Sequence, residues 1–294
     1  MTAAISTRGL TKNYGAGRGL FDLDFEVPEG EVFGFLGPNG AGKTTTIRLL
    51  TAMIHPTRGG ASIFGLDCQH DAVAVKRLIG YLPGDLPQFG GMRGREVVTY
   101  LAAMRGTIDQ ERVRELADRF DLDLGRRFRE YSHGNKQKLG LLLAFMHRPR
   151  LLVLDEPTSG LDPLNQQTFQ QLVREARNDG ATVFLSSHVL SEVEEACSRV
   201  GIIRAGHLIS DMTMDQVHEM RYHEVELEFA GTVPEAALRS AAGIQDLRVD
   251  GSRAFCTVHG SFGPLLTALQ GAHVINLVSR EPTLESIFLS YYHD

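Results

Sequence analysis

The chain has 294 residues, of which 43% are hydrophobic and 22% are charged. This length accommodates one or two domains, and the composition is that of an ordinary globular protein, which excludes the disordered and fibrous classes. The net charge of −6 gives no support to general nucleic-acid binding, which favours a basic face, although it is compatible with a local basic patch. We therefore expect no nucleic-acid partner.

Neither the cysteines nor the apolar segments indicate a secreted or membrane-spanning chain. The three cysteines, Cys68, Cys197 and Cys256, are far apart and odd in number, which fits a reducing cytosol better than a disulfide framework or a zinc site. The first residues lack the charged start and apolar run of a signal peptide. The apolar stretch 139–145 is well below the roughly 18 residues that a membrane span needs, so a membrane role requires a partner.

The first two-thirds of the chain alternates predicted strands and helices. Strands are predicted at residues 4–10, 20–27, 31–37, 61–65, 79–83, 151–155 and 181–187. A helix that begins after Gly42 is predicted to carry Ile47, Leu50 and Met53 on one face, and a mostly helical segment occupies about 85–150. Residues 200–210 predict a hairpin that turns at Ala205-Gly206. This alternation favours an α/β fold whose mainly parallel sheet is covered on both faces.

A smaller unit follows a break in the pattern at about residues 211–220. Its β-α-β-β-α-β order, with a turn at Asp250-Gly251 and a closing helix at 282–292, predicts a small α+β domain. We therefore predict two domains, 1–211 and 212–294. No catalytic group is apparent in the second, which is interpreted either as a dimer-stabilising or regulatory domain or as a packing appendage.

The strongest motif is a glycine-rich loop that fits the pattern G-x-x-x-x-G-K-[ST]. Its residues are Gly37, Pro38, Asn39, Gly40, Ala41, Gly42, Lys43 and Thr44, and Thr45 follows. The loop joins a predicted strand to a predicted helix, which is the context that phosphate binding requires, because glycines let backbone N–H groups approach and the helix N-terminus adds its positive dipole end. Lys43 is expected to reach the β- and γ-phosphates, and the Thr44 hydroxyl to ligate Mg²⁺.

The second motif is a buried strand that ends in two carboxylates, Asp155 and Glu156. Asp155 is placed to hold Mg²⁺ through water, and Glu156 is placed to polarise the attacking water as a general base. Alone the motif is weak, because apolar strands that end in Asp-Glu also occur for purely structural reasons.

These motifs, taken with three further features, resemble the ATP-binding cassette (ABC) ATPases over most of residues 1–210. The further features are Tyr14, the signature segment 131–135 (YSHGN), and the run 151–163 (LLVLDEPTSGLDP) followed by Ser187-His188. The resemblance implies a P-loop NTPase core with an inserted helical subdomain, and hydrolysis of ATP with Mg²⁺.

The resemblance also implies a role for each matched residue. Tyr14 looks like the aromatic residue that stacks on adenine, with a tyrosine at a strand edge as the structural alternative. Ser132 and Gly134 resemble the signature residues that contact the γ-phosphate bound by a second subunit, although an ordinary serine N-cap explains Ser132 locally as well. Asp162 resembles a residue of the loop that couples the two sites of a dimer. His188 resembles the histidine that bonds the γ-phosphate and, with Lys43 and Glu156, is predicted to be catalytic.

Two departures from the family pattern stand out. The family commonly has Gln, or Glu in some members, where this chain has Gly84-Asp85, and that residue helps to hold Mg²⁺. Asp85 could replace it as an oxygen ligand, or Gln88 could reach in, and the sequence leaves both open. In the signature segment, His133 and Asn135 stand where Gly and Gln are commonest. Asn135 remains in the predicted nucleotide-contacting set, and we expect activity to survive with altered tuning.

The style of the motifs resembles the exporter-type subgroup, whose members often export drugs, antibiotics or lipids. The expected partners are a membrane-spanning permease on a separate chain and a second cassette, expected to be a copy of this chain, at the cytoplasmic face of the membrane. A ribosome-associated ATPase is the alternative, but those relatives usually hold two cassettes in one chain. A chromosome or DNA-repair ATPase would need a longer insertion between the two motifs, and a kinase or GTPase would not explain the signature segment.

Overall fold

The computed structural model describes residues 3–106, 109–219 and 222–280. The chain divides into two compact units, Met1–Thr213 and Met214–Asp294, and each is described by itself below. Among the described residues, no helix has the length and apolar character needed to cross a lipid bilayer.

The first unit combines two sheets with helices. Its described strands are β1 (Ala3–Gly15), β2 (Arg18–Leu23), β3 (Glu26–Pro28), β4 (Val32–Leu36), β5 (Arg58–Ile63), β6 (Leu66–Asp67), β7 (Ile79–Leu82), β8 (Leu151–Asp155), β9 (Thr182–Ser187), β10 (Arg199–Arg204) and β11 (His207–Thr213). Its described α-helices are α1 (Lys43–Leu50), α2 (Ala72–Leu78), α3 (Gly94–Ala103), α4 (Gln110–Arg119), α5 (His133–Phe145), α6 (Pro163–Asn178) and α7 (Leu190–Ala196). A 3₁₀ turn, Phe128–Glu130, precedes α5.

A six-stranded sheet in the order β11-β10-β4-β9-β8-β7 positions the predicted site. All its pairings are parallel except that of β10 with β11, which form the predicted hairpin. Every residue of β4, β8 and β9 is buried, which explains their unbroken apolar runs. Because parallel strands end at one edge, the phosphate loop, Glu156, His188 and Gly84 all follow strands at that edge.

Stacked phenylalanines form the centre of the core beneath this edge. The rings of Phe25, Phe33, Phe35 and Phe184 have centroids 5.4–6.0 Å apart in the contacts between them. Ile47, from the helix that follows the phosphate loop, is fully buried in the same cluster. The phosphate loop is therefore anchored to the core at both of its ends.

A second, antiparallel sheet differs from the sequence-based expectation. Residues 20–27 were expected to form one strand, but they divide between β2 and β3, which pair with opposite ends of the long strand β1. The two strands are separated at Asp24 and Phe25, just after an irregularity in the pairing of β2 where Asp22 has a left-handed φ of 47°. The hairpin of β1 and β2 carries Tyr14 towards the phosphate loop.

The predicted extent of the first helix was also wrong at its C-terminal end. Helix α1 ends at Leu50, and Met53 lies beyond it with 53% of its surface exposed. Ala52 has a φ of 51°, a left-handed conformation of the kind that terminates helices.

Helices α3, α4 and α5 lie between β7 and β8, within the segment that was predicted to be mostly helical. Helix α5 is buried from Gln137 to Phe145, although only one of its faces is expected to be apolar in a surface helix. Gly140 permits this close packing, because a Cβ atom there would lie 2.5 Å from Leu82 Cδ1. Helix α5 is thereby fixed against the strand that leads to Gly84.

The second unit has the predicted β-α-β-β-α-β order. After helix α8 (Met214–Glu219) its elements are β12 (Tyr222–Phe229), α9 (Glu235–Ser240), β13 (Ile244–Asp250), β14 (Arg253–His259), α10 (Gly263–Ala268) and β15 (Val274–Arg280). The strands form an antiparallel sheet in the order β13-β14-β12-β15. Val225, Leu227 and Phe229 of the central strand pack with Leu238 and Leu265 of the helices. The predicted closing helix at 282–292 lies outside the described residues.

Candidate nucleotide-binding site

A cavity of about 500 Å³ opens beside the phosphate loop. It is lined by Tyr14, Gly17, Arg18, Gly19, Pro38, Asn39, Gly40, Gly42, Lys43, Thr44, Thr45, Glu156 and Ala205. The structure therefore brings Tyr14 and Glu156 together with most of the phosphate loop, as the sequence predicts for one nucleotide.

The phosphate loop leaves backbone donors available at the start of α1. Gly40 and Gly42 have φ angles of 82° and 119°, which only glycine adopts without strain, and Gly42 occupies the N-cap without offering a side chain. The first N–H groups of a helix have no intrahelical acceptor. Those of Lys43 and Thr44 thus point to where an anion binds, with the positive end of the helix dipole behind them.

Lys43 is buried, with 6% of its side chain exposed, and it is held by oxygen atoms. Its ammonium group donates to the carbonyl of Gly37 at 2.6 Å and to that of Pro38 at 3.3 Å. It also lies 3.2 Å from Oε1 of Glu156. Oε2 of Glu156 contacts Nδ1 of His188 at 2.7 Å. The three predicted catalytic residues thus form one chain of contacts centred on the Glu156 carboxylate.

The backbone of Glu156 has a φ of 51°, a conformation that is strained for a non-glycine residue. Its N–H donates to both the carbonyl and the hydroxyl of Ser186, each at 3.2 Å. Its carbonyl accepts a hydrogen bond of 3.0 Å from Nε2 of Gln137, a buried residue of α5. These bonds hold the turn that directs the Glu156 side chain away from strand β8 and towards Lys43.

The Asp155 carboxylate has one satisfied and one unsatisfied oxygen. Oδ1 accepts a hydrogen bond of 2.6 Å from the Ser186 hydroxyl, whereas Oδ2 is buried and has no hydrogen-bond partner among the described residues. A Cβ atom at Gly84 would lie 3.2 Å from this Oδ2, so the unsatisfied oxygen faces the Gly84 backbone. A buried, unpartnered carboxylate oxygen beside a phosphate loop fits the oxygen-ligand preference of Mg²⁺.

Asp85 is placed less favourably than Asp155 for holding a metal. Its side chain is exposed, and none of the contacts described for this part of the chain joins it to Asp155. Tyr81, the penultimate residue of β7, is also affected by the site. Burial raises the pKa of Tyr81 to about 12, with a smaller contribution from the Asp155 charge.

Tyr14 presents an accessible ring to the cavity. It is 51% exposed, and Nζ of Lys12 lies 5.6 Å from the ring centroid. An exposed aromatic face on the cavity wall is what stacking on a nucleobase requires. Tyr14 also lies near the C-terminal end of β1, which is the position of the structural alternative, a strand-edge tyrosine.

The signature residues and Asp162 lie outside this cavity. Ser132 caps helix α5 by accepting the N–H of Asn135 at 3.2 Å, so the ordinary capping role predicted for it is present. Asp162 caps α6 through the N–H of Asn165 at 3.0 Å, and this bond is the main cause that lowers the pKa of its carboxyl.

The first turn of α5 packs against the loop that precedes α6. A Cβ atom at Gly134 would lie 2.6 Å from the carbonyl oxygen of Gly160, and one at Gly160 would lie 2.3 Å from the ring of His133. Gly160 also has a φ of 73°, so both its backbone conformation and the nearby His133 ring favour glycine at this position. His133, which departs from the family pattern, thus covers the neighbouring loop.

Sequence reasoning missed four residues that shape the site, namely Gln137, Ser186, Arg18 and Ala205. Gln137 and Ser186 are polar residues inside buried elements, and that mismatch is the signal that could have identified them. Arg18 and Ala205 reach the cavity only because two hairpins converge on the phosphate loop, which no local pattern indicates.

Replacing Ser186 by Ala tests how the two carboxylates are positioned. The variant leaves both Asp155 oxygens unpaired and removes an acceptor from the Glu156 N–H, so we expect a loss of about 1–3 kcal/mol in the free energy of unfolding. The gain in ATP affinity on adding Mg²⁺ should also fall. Urea unfolding and ATP titrations with and without Mg²⁺ measure the two effects.

The matched control is Ser187→Ala, since Ser187 is equally buried but donates to Glu192. It should lose stability while keeping the Mg²⁺ dependence of ATP binding. An unchanged stability and an unchanged Mg²⁺ dependence in Ser186→Ala would contradict the assigned positioning role.

Comparisons with known proteins agree with this site. The family model described as ABC transporter matches residues 20–159. The bacitracin transport ATP-binding protein BcrA of Bacillus licheniformis is 33% identical over 98% of this chain and 97% of its own length. The daunorubicin resistance ATP-binding protein DrrA3 of Streptomyces coeruleorubidus is 32% identical over 97% of this chain and 95% of its own length.

A solved structure described as an ATP binding subunit of an ABC transporter is similar with a TM-score of 0.67 and 29% identity, over 73% of this chain and 92% of that one. The alternative of a ribosome-associated ATPase finds no support among these relatives. ABC ATPases of this kind bind ATP, dimerise and work with membrane-spanning subunits. The chain belongs to the ATP-binding subunits of ABC transporters, and it is an ATP hydrolase.

Proposed function

We propose that this chain powers the export of an antibiotic-like compound through a separate membrane-spanning chain, at the cytoplasmic face of the membrane. The observation that carries the nucleotide chemistry is the contact chain of Lys43, Glu156 and His188 beside a glycine-rich helix start. The class of exported compound is inferred from relatives that are similar over nearly the whole chain and are named for bacitracin transport and daunorubicin resistance.

Residues in and beside the cavity take distinct parts in ATP hydrolysis. Lys43 and the first N–H groups of α1 bind the β- and γ-phosphates, and Tyr14 stacks on the adenine. Thr44 and the unpartnered oxygen of Asp155 would hold Mg²⁺, which neutralises phosphate charge when bound. Glu156 accepts a proton from the attacking water, and His188 bonds the γ-phosphate.

The sequence leaves two candidates, Asp85 and Gln88, for the oxygen ligand normally expected near Gly84. The unpartnered oxygen of Asp155 is buried and faces the Gly84 backbone, whereas the Asp85 and Gln88 side chains are exposed. We propose that Asp155 is the fixed oxygen ligand at this position, and that Asp85 or Gln88 contributes only when its loop moves towards Asp155.

A second copy of the chain completes the site. Ser132, Gly134, Asn135 and Asp162 lie outside the cavity formed within one chain, and yet they occur at the N-termini of α5 and α6, where backbone N–H groups favour an anion. In a head-to-tail homodimer, these residues would close over the γ-phosphate bound by the partner copy. Hydrolysis would remove that bridge and open the pair.

The surface around residues 84–106 is proposed to contact the membrane-spanning chain. Tyr100 of α3 and Met104, the residue that caps the C-terminus of α3, are about one helical turn apart, and they are 50% and 65% exposed. Apolar side chains of this size, exposed as a pair, suit a helix of a partner protein. The same segment begins at Gly84, next to Asp155, so the surface is connected directly to the nucleotide site.

The variant Glu156→Gln tests the general base. The amide retains the size of the side chain but cannot accept the proton, so ATP should bind within about threefold of the original affinity while hydrolysis falls at least about 100-fold. ATP should then hold the protein as a dimer in size-exclusion chromatography. The control Glu111→Gln alters an exposed glutamate of α4 and should hydrolyse ATP normally. Normal ATP turnover in Glu156→Gln would show that Glu156 is not the general base.

A double variant, Tyr100→Glu with Met104→Glu, tests the membrane-facing surface. The membrane-spanning chain is expected to be encoded in the neighbouring reading frame. Its co-purification with the double variant should fall at least about tenfold, because charge is introduced into an apolar contact. ATP binding verifies that the variant is folded. The control Val73→Glu adds charge at a 70% exposed residue of α2 and should retain the partner. Equal co-purification of both variants would place the contact elsewhere.

A further inference from the structure

Arg18 is an exposed cation on the wall of the nucleotide cavity, and neither of the two motifs includes it. It lies at the start of β2, where the hairpin of β1 and β2 closes and Arg18 pairs with Gly15. Tyr14 and Lys43 line the same cavity. Arg18 thus shares the cavity wall with the predicted adenine platform and the phosphate loop.

The hairpin that carries Arg18 is fixed to the phosphate loop by backbone contacts. A Cβ atom at Gly19 would lie 2.0 Å from the Lys12 carbonyl oxygen, so the strands approach closely there. The N–H of Phe21 donates to the carbonyl of Gly206 at 2.8 Å, and the N–H of Gly206 donates to the carbonyl of Ala41 at 2.8 Å. The turn at Gly206 therefore joins the hairpin to the phosphate loop, and the backbone of Arg18 is held in place.

The guanidinium group of Arg18 is available to a ligand. It makes no hydrogen bond or ion pair with any residue in the described part of the chain. Lys43, by contrast, is paired with Glu156 at 3.2 Å, and Lys12 donates to the His55 carbonyl at 2.8 Å. A triphosphate carries more negative charge than Lys43 alone can balance, and a guanidinium binds two phosphate oxygens at once.

We propose that Arg18 binds the phosphate chain of the nucleotide as a second cation beside Lys43. This inference rests on the proposed nucleotide chemistry of the cavity. It adds Arg18 as a residue that sets the affinity of the cavity for nucleotides with more than one phosphate. The ligand it selects is a nucleoside di- or triphosphate rather than a nucleoside.

The test compares Arg18→Ala and Arg18→Lys with the original chain, by competition against a fluorescent ATP analogue. Loss of one charge-assisted contact predicts an affinity about tenfold lower for ATP and ADP in Arg18→Ala. Adenosine should bind both proteins within about twofold, and 2′-deoxy-ATP should lose as much affinity as ATP. Arg18→Lys should recover affinity to within about threefold, because the charge is kept, and the salt dependence of ATP binding should weaken only in Arg18→Ala.

The matched control is Arg8→Ala, which removes an exposed arginine of β1 that does not line the cavity. It should bind ATP normally, and the melting temperatures of all the ligand-free proteins should agree. Equal ATP affinity in Arg18→Ala and the original chain overturns the proposal. It is also overturned if Arg18→Ala loses as much affinity for adenosine as for ATP, or loses more affinity for ATP than for 2′-deoxy-ATP. Failure of the original chain to bind ATP would instead overturn the proposed nucleotide chemistry, and the Arg18 proposal with it.

Discussion

The buried ammonium group of Lys43 is the charge on which the site depends. With 6% of its side chain exposed, Lys43 cannot be left without an anionic or carbonyl partner, since an unpaired charge at such depth costs about 3–5 kcal/mol. In the structure, the carbonyls of Gly37 and Pro38 and the carboxylate of Glu156 supply these partners. A nucleotide phosphate is a stronger partner, so its arrival would release the Glu156 carboxylate from Lys43 and leave it available to water.

The parallel sheet makes this exchange possible, because it delivers all the participants to one edge. Strand β4 leads into the phosphate loop, β8 into Glu156 and β9 into His188. The hydrogen-bonded register between these strands fixes where each of them ends relative to the others. Asp155 pairs in register with Ser186, which is also the residue that bonds the Asp155 carboxylate and the Glu156 N–H. The strained backbone of Glu156 is therefore maintained by the neighbouring strand β9 and by Gln137 of α5.

Much of this arrangement could be predicted from the sequence, because the chemistry is concentrated in contiguous segments. The glycine loop, the Asp155-Glu156 pair and the hairpin at Ala205-Gly206 each depend on residues close together in the chain. The division of residues 20–27 between β2 and β3 could not be foreseen, since it arises from pairing with two distant parts of β1. The places of Arg18 and Gln137 are likewise set by tertiary packing, and only the burial of a polar side chain could have indicated Gln137.

The cavity within one chain is lined by Lys43 and Glu156, whereas Ser132 and Gly134 of the signature segment lie outside it. A structure of the full chain with Mg²⁺ and a non-hydrolysable ATP analogue is the most direct test of this account. It should place the γ-phosphate within hydrogen-bond distance of Lys43, with the Lys43–Glu156 contact broken and with Ser132 and Gly134 of a second copy on the opposite side of the phosphate. An analogue bound outside this cavity, or a Lys43 ammonium still paired with Glu156 in the complex, would contradict it.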